Sequence, residues 1–461
     1  MSTHSINYRT DIDGLRALAV VPVILFHAGF STFSGGFIGV DVFFIISGYL
    51  ITGVIWREIV QKKFSLLVFY ERRARRILPA LFAMITATLV AGWFLLTIAP
   101  LQSLANSTFA AVFSISNVYF WRQTGYFAGA SELFPLLHTW SLGVEEQFYI
   151  FVPLVLLLAA RFGRNAMIAT LTLIVVVSFC LSVWASHRYP SANFFLILTR
   201  AWELGIGGLL AVVRLPLPRP AAVRNCVGVI GVSMILAAVF LFDKNTVFPG
   251  LSALLPCFGT ILLIWVGMSQ PEGWQDAPSQ GLVTRFLATR PMVSIGLISY
   301  SLYLWHWPVF VYLRHLTART DLEWQWSFFG ILLSTVLAVV SWRFVEQPFR
   351  NRTTIGQSTI AIFSTGGTVG LAAIALIISF SLKGAPFRIP EDVRQIADAS
   401  EDFDSSCMNI ISYCRIGSAN LEPSFILMGD SHSAALRPAL AVWAEQMGKS
   451  GYFQSFNSCP P

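Results

Sequence analysis

Charge is scarce in this chain. Asp, Glu, Lys and Arg make up 12% of 461 residues, about half the share of an ordinary soluble domain. That deficit excludes a fully solvated globule, and a hydrophobic content of 55% with 38 Phe and 14 Trp places most of the chain in lipid. Cysteine is also sparse, at six residues, and none has the spacing of a zinc site. No Gly-rich phosphate loop is present either, so neither a metal nor a nucleotide fold is expected. Cys180, Cys226 and Cys257 fall in or beside apolar segments, where buried, inert thiols are expected. Cys407, Cys414 and Cys459 lie in a polar tail and pair only in an oxidising compartment. The formal net charge of +7 is no nucleic-acid footprint if the basic residues lie in short loops on one membrane face.

What the chain does have is a series of apolar windows long enough to span a bilayer. They fall near 12–31, 37–56, 78–98, 136–160, 166–186, 193–213, 225–242, 250–267, 293–313, 325–345 and 358–382. The first lacks a small-x-small cleavage site and contains Arg16 and His27, so it is expected as a span rather than a signal peptide. Ser103–Trp121 is apolar only in part, and charge decides its reading. With the N-terminus inside and this segment not crossing, 19 of the 31 Lys and Arg collect on the inner side. Only five lie in outer loops: Arg122, Arg188, Lys244, Arg314 and Arg319. A crossing would turn every later basic loop outward, against the positive-inside rule. Ten spans, an external and partly inserted segment at 103–135, and an eleventh span are therefore expected.

Ionisable residues inside such spans are costly and mark functional sites by default. Arg16 and His27 lie eleven residues apart in the first span, about 16 Å along a helix. The next segment, GVDVFFIISGYL (Gly39–Leu50), carries Asp41, Ser47 and Gly48. Arg16, ten intervening residues, His27 and then this string resemble the opening of the integral-membrane acyltransferase family 3, whose members acylate sugars of envelope glycans. LLHTWSLGVEEQFY (136–149), with Glu145, and SYSLYLWHWPV (299–309), with His306, resemble further motifs of that family. The likeness covers roughly Tyr8 to Arg352 and implies a ten-helix bundle.

The densest charge lies in FYERRARRILPA, where Arg72, Arg73, Arg75 and Arg76 precede the third span. Part of this run anchors topology. Guanidinium forks also bind phosphate bidentately, and the run matches the family's arginine motif, which makes these four the expected donor-binding residues. Arg200 and Glu203, in LTRAWELGIGGLL, neutralise Glu145, each other, or both, and a structural role is favoured for them. Cationic groups are expected at the inner face, and His27, Asp41, Glu145 and His306 in the outer half.

Beyond Arg352 come an uncharged span at 358–382, a Pro/Gly linker at 383–390 and a polar region, 391–461. There SFILMGDSHSAALRPALAVWAEQMG reads as a buried strand, a tight turn and a helix. Gly429, Asp430, Ser431 and His432 on that turn resemble the nucleophile block of the SGNH hydrolase and acyltransferase superfamily, in which the turn presents a serine to an oxyanion-stabilising backbone. The superfamily's Asp-x-x-His partner lies far downstream. Thirty residues follow Ser431, with no aspartate and no histidine beyond His432. The expectation is an incomplete domain, in which Ser431 acts only in a full-length form.

The expected fold is thus an all-α polytopic membrane protein, a ten-helix acyltransferase bundle (8–352) with an eleventh linking helix (353–390). An incomplete α/β SGNH-like domain follows (391–461). The expected function is transfer of an acetyl group from cytoplasmic acetyl-CoA, as a substrate with no resident cofactor or metal, to an envelope polysaccharide such as O-antigen. His27 is general base or transient acyl carrier, and Arg16 orients it or holds the donor, with Glu145 a further catalytic candidate. The expected place is a bacterial inner membrane, N-terminus cytoplasmic and C-terminal domain periplasmic or extracellular, with no nucleic-acid partner. Two rivals are a secondary transporter, which predicts repeated broken helices that the sequence lacks, and a membrane-anchored esterase, which leaves His27 and the arginines unexplained.

Overall fold

A backbone in lipid must satisfy its own hydrogen bonds, so apolar segments of spanning length become helices. The computed structural model describes residues 8–123, 131–213, 215–218, 220–268, 281–391, 413–418, 420–429 and 431–455. It divides at Gly384 into two compact units. The first is built from sixteen described α-helices: α1 (Thr10–His27), α2 (Gly39–Val60), α3 (Leu66–Leu95), α4 (Ile98–Val112), α5 (Ser116–Arg122), α6 (Thr139–Ala160), α7 (Arg164–Arg188), α8 (Pro190–Phe195), α9 (Ile197–Val212), α10 (Ala221–Leu241), α11 (Leu254–Val266), α12 (Leu282–Leu287), α13 (Arg290–Thr317), α14 (Trp324–Ser341), α15 (Gln347–Arg350) and α16 (Gln357–Leu376).

Among the described residues, eight stretches are long and apolar enough to cross a membrane: 36–60, 66–95, 139–160, 164–188, 190–212, 221–241, 324–350 and 357–381. The other three expected spans, at α1, α11 and α13, are helical but fall outside that set. Charge explains α1, which carries Asp11, Asp13 and Arg16, and length explains α11, with 13 residues. The partly apolar segment forms α4 and α5, of 15 and 7 residues, each too short for a hydrocarbon core of about 30 Å.

Burial sorts the helices. α7 and α14 expose Leu173, Val176, Val177, Phe328, Leu332 and Val336, the apolar surface that lipid covers. α1, α2, α9 and α13 pack by their backbones, because small residues let helices approach closely without a hydrophobic drive. A Cβ on Gly48 of α2 would lie 1.9 Å from the Leu204 carbonyl oxygen of α9, and one on Gly296 of α13 would lie 1.9 Å from the Asp13 carbonyl oxygen of α1. Gly48, expected as a site residue, therefore serves a helix crossing. Cys257 is buried, whereas Cys180 and Cys226 are exposed, against the expectation of burial for all three.

The second unit holds β1 (Cys414–Gly417), β2 (Pro423–Gly429), α17 (Ser431–Gln446) and β3 (Ser450–Ser455). The sheet order is β1-β3-β2, with β2 and β3 parallel and β1 antiparallel to β3. α17 is the crossover that a parallel pair requires. Ile416 and Phe453 form its core, with Phe425, Leu427 and Leu440 against them. Cys414 is disulfide-bonded.

Candidate active site

A cavity opens among α1, α2, α3, α6 and α13. Its cationic lining is Arg16, Arg73 and Arg76, and its other polar groups include Ser47, Ser141, Glu145, Tyr149, Tyr300 and Tyr303. The run of four arginines splits by helical phase. Arg72 and Arg75, three residues apart, turn away from the cavity. Arg72 pairs with Glu58 at 2.8 Å. Arg75 is buried, pairs with Glu71 at 2.7 Å and donates to the carbonyls of Ile355 (2.8 Å) and Phe349 (3.2 Å). Those bonds make them structural and correct the expectation of four equivalent donor ligands. Arg73 and Arg76 share the other face. Arg73 stacks over the Tyr149 ring at 5.8 Å, and neither forms an ion pair among the described residues. Arg16 has one long contact, 3.3 Å to Asp13. Three guanidinium groups thus face one cavity with donors to spare.

Glu145 sits in this same cavity, where Ser47 Oγ donates to its Oε2 at 3.1 Å and the Tyr149 hydroxyl donates at 2.8 Å. The Tyr149 hydroxyl also lies 2.8 Å from Ser47 Oγ. The expected grouping of Glu145 with His27, Asp41 and His306 is therefore wrong: Glu145 belongs with the arginines. Asp41 is elsewhere again, 2.8 Å from Arg200, which also approaches Glu203 at 3.2 Å. Arg200 thus pairs with Asp41 and Glu203, not with Glu145.

His27 and His306 do come together, although 279 positions separate them. Nδ1 of His27 lies 3.0 Å from Nε2 of His306. His306 is fully buried, and its Nδ1 faces the carbonyls of Tyr303 at 2.7 Å and Leu302 at 3.2 Å. Carbonyls only accept, so His306 carries its hydrogen on Nδ1 and offers a lone pair at Nε2. His27 must then donate from Nδ1, which leaves its own Nε2 unprotonated. A neutral imidazole with one lone pair free and the other nitrogen anchored is the arrangement of a general base or nucleophile. The His27 ring is half-buried against Trp307, at 4.6 Å between centroids, and its carbonyl accepts from Arg314 at 2.8 Å.

Tyr303 connects the two parts. Its ring lines the cavity, its carbonyl anchors His306, and its hydroxyl donates to the His138 carbonyl at 3.0 Å and meets Ser141 Oγ at 2.7 Å. His138 is buried, with its ring 6.0 Å from that of His306. Sequence reasoning did not single out Tyr149, Ser141, Tyr303 or His138. The available signals were the four-residue step from Glu145 to Tyr149 and the three-residue step from Tyr303 to His306, each one helical turn.

In the second unit, β2 ends at Gly429 and α17 starts at Ser431, the strand end and helix start expected on either side of the motif. A side chain at Gly429 would press on Ser433, at 2.9 Å. Asp430 lies outside the described residues.

The acyltransferase domain family matches residues 9–343, and an SGNH domain known fused to such acyltransferase domains matches residues 398–461. The chain is 32% identical over 364 residues to the O-acetyltransferase OatA of Staphylococcus aureus, covering 76% of this chain and 58% of that protein. It is also 32% identical over 365 residues to the peptidoglycan O-acetyltransferase OatA of Listeria monocytogenes, covering 75% of this chain and 56% of that protein. BcsY of Komagataeibacter xylinus, whose name describes a membrane-bound transacylase, is 32% identical over 386 residues, 81% of this chain and 92% of that protein. The chain thus spans little more than half the length of the two OatA proteins. No solved structure matches it. On the 335 residues from Arg9 to Arg343, and on the BcsY likeness over nearly its whole length, the chain belongs to the membrane acyltransferase family 3.

Proposed function

We propose that this protein is a membrane O-acetyltransferase that takes its acetyl group from acetyl-CoA and delivers it to a hydroxyl of an envelope polysaccharide. The observation that carries the reading is the cavity lined by three guanidinium groups with donors to spare, joined through Tyr303 to an oriented histidine pair. Arg16, Arg73 and Arg76 hold the donor's phosphates, each charge-assisted bond contributing about 1.5–3 kcal/mol. Nε2 of His27 acts in one of two balanced ways. It accepts the hydrogen of the attacking hydroxyl as that oxygen bonds to the acetyl carbon, whose C–S bond breaks so that the thiolate leaves and takes up that proton; or it bonds to the acetyl carbon itself while the C–S bond breaks and the thiolate leaves. In the second case the sugar oxygen then bonds to the acetyl carbon as the N–C bond breaks, its hydroxyl proton passes to the released thiolate or to water, and neutral His27 is regenerated.

The positive-inside distribution favours a cytoplasmic N-terminus and arginine run, with the C-terminal unit on the outer side. On a background lacking the exposed Cys180 and Cys226, a cysteine at Asn245 is expected to react with an impermeant thiol reagent in intact cells, and one at Lys63 only after lysis. The opposite pattern rejects this orientation.

The decisive experiment supplies acetyl-labelled CoA to purified protein in vesicles and to membranes with their native glycans. An acetyltransferase consumes the label and deposits it as ester. A transporter consumes none, and an esterase releases acetate only from preformed esters. Label in O-antigen supports the acceptor class expected from sequence. Label in peptidoglycan supports the acceptor named for the listerial relative.

A further inference from the structure

Asp41, Arg200 and Glu203 bring two carboxyl groups and one guanidinium together where none of the three side chains is more than 1% exposed. Arg200 is ringed by aromatic faces, with Phe44, Phe248 and Trp140 at 5.3, 5.7 and 5.8 Å. Among the described residues, the buried Cys257 of α11 also acts on the cluster. Fully ionised, the cluster would hold one uncompensated negative charge in a dry, apolar interior. Such a charge is neutralised rather than tolerated.

Hydrogen-bond bookkeeping points the same way. Asp41 Oδ2 and both oxygens of Glu203 are buried and lack a hydrogen-bond donor among the described residues, yet one nitrogen, Nη2 of Arg200, lies 2.8 Å from Asp41 Oδ1 and 3.2 Å from Glu203 Oε2, which sets the two carboxyl groups side by side. Two carboxylates cannot bond, whereas an acid and a carboxylate can. Position decides which is which. Asp41 lies in the first turn of α2, where the free backbone N–H groups favour an anion. It is also the closer partner of Arg200, at 2.8 Å against 3.2 Å for Glu203.

We infer that Asp41 and Glu203 form a proton-binding site in the membrane interior, in which Glu203 is a neutral carboxylic acid donating to the Asp41 carboxylate paired with Arg200. The bound proton makes the cluster electrically neutral. It joins α2 to α9 beside the crossing of Gly48 over Leu204, so its removal places a net charge in that joint.

Infrared spectra of the full chain in lipid nanodiscs test this. Subtracting the Glu203→Gln spectrum from wild type should leave one protonated-carboxyl C=O band that moves in D2O. Subtracting the Asp41→Asn spectrum should leave the same band, because a single carboxylate then balances Arg200 and needs no proton. The double variant strips Arg200 of both partners and should unfold at a temperature lower than the two single shifts add up to. Loss of an ionised-carboxylate band in place of the protonated band in Glu203→Gln overturns the inference. Persistence of the protonated band in Asp41→Asn overturns it as well, and that arm decides alone if Glu203→Gln does not accumulate.

Discussion

His306 holds His27 by its least substitutable contact, a 3.0 Å bond to Nδ1 whose direction is dictated by the Tyr303 carbonyl on the far side of the ring. The relation resembles that of a base and its orienting group. His306→Ala is expected to reduce acetyl transfer about 100-fold or more while leaving acetyl-CoA affinity unchanged. His306→Gln should recover part of the rate, since an amide oxygen can accept from Nδ1. His27→Ala should abolish turnover. Rate and calorimetric affinity, measured in parallel, check this. Normal transfer by His306→Ala would reduce the pair to packing.

The arginine run should divide in two. Arg73→Gln and Arg76→Gln are expected to weaken acetyl-CoA binding by about 1.5–3 kcal/mol each with no change in thermal stability. Arg72→Gln should do neither. Arg75→Gln takes the closer partner from Glu71, which keeps only Arg352 at 3.2 Å among the described residues, and the guanidinium donor from two carbonyls, and should cost about 1–3 kcal/mol of stability. Equal affinity losses across all four would return the run to a single undivided site.

Gly48→Ala should fail structurally. The added methyl carbon would sit 1.9 Å from the Leu204 carbonyl oxygen, which is backbone and cannot swing aside. A loss of about 1–3 kcal/mol or more is expected, read as a lower unfolding temperature in detergent. An unshifted temperature would show that α2 and α9 have slack between them.

Ser431→Ala should leave acetyl-CoA binding as it was, because Ser431 belongs to a compact unit separate from the one that holds the cavity. Weaker donor binding in that variant would require the second unit to take part in donor capture.

The helices were legible because their apolar windows are long and the lipid sets their length. The cysteines at 180 and 226 were misread because hydropathy does not say which side of a lipid-facing helix a thiol occupies. The division of the arginines follows from helical phase, since 73 and 76 share a face and 72 and 75 share another. The partners Glu58 and Glu71 that make one face structural cannot be read from the run itself. Asp41 with Arg200, and His27 with His306, are joined across 159 and 279 positions. No local spacing encodes such pairs, so depth along a span was the available guide. Depth placed Glu145 with the wrong companions because it ignores which way a side chain points around its helix.

The glycine crossings restrict how this protein can move. Where Gly48 meets the Leu204 backbone and Gly296 meets that of Asp13, two helix pairs are locked main chain to main chain, with no compressible layer of side chains to roll on. The rocking of one half against another that carries a solute across a bilayer has no bearing surface at these joints. What remains to move at this site is smaller than a helix, namely the side chains that line the cavity. A cargo of acetyl size suits machinery that works by rotating side chains within a fixed frame.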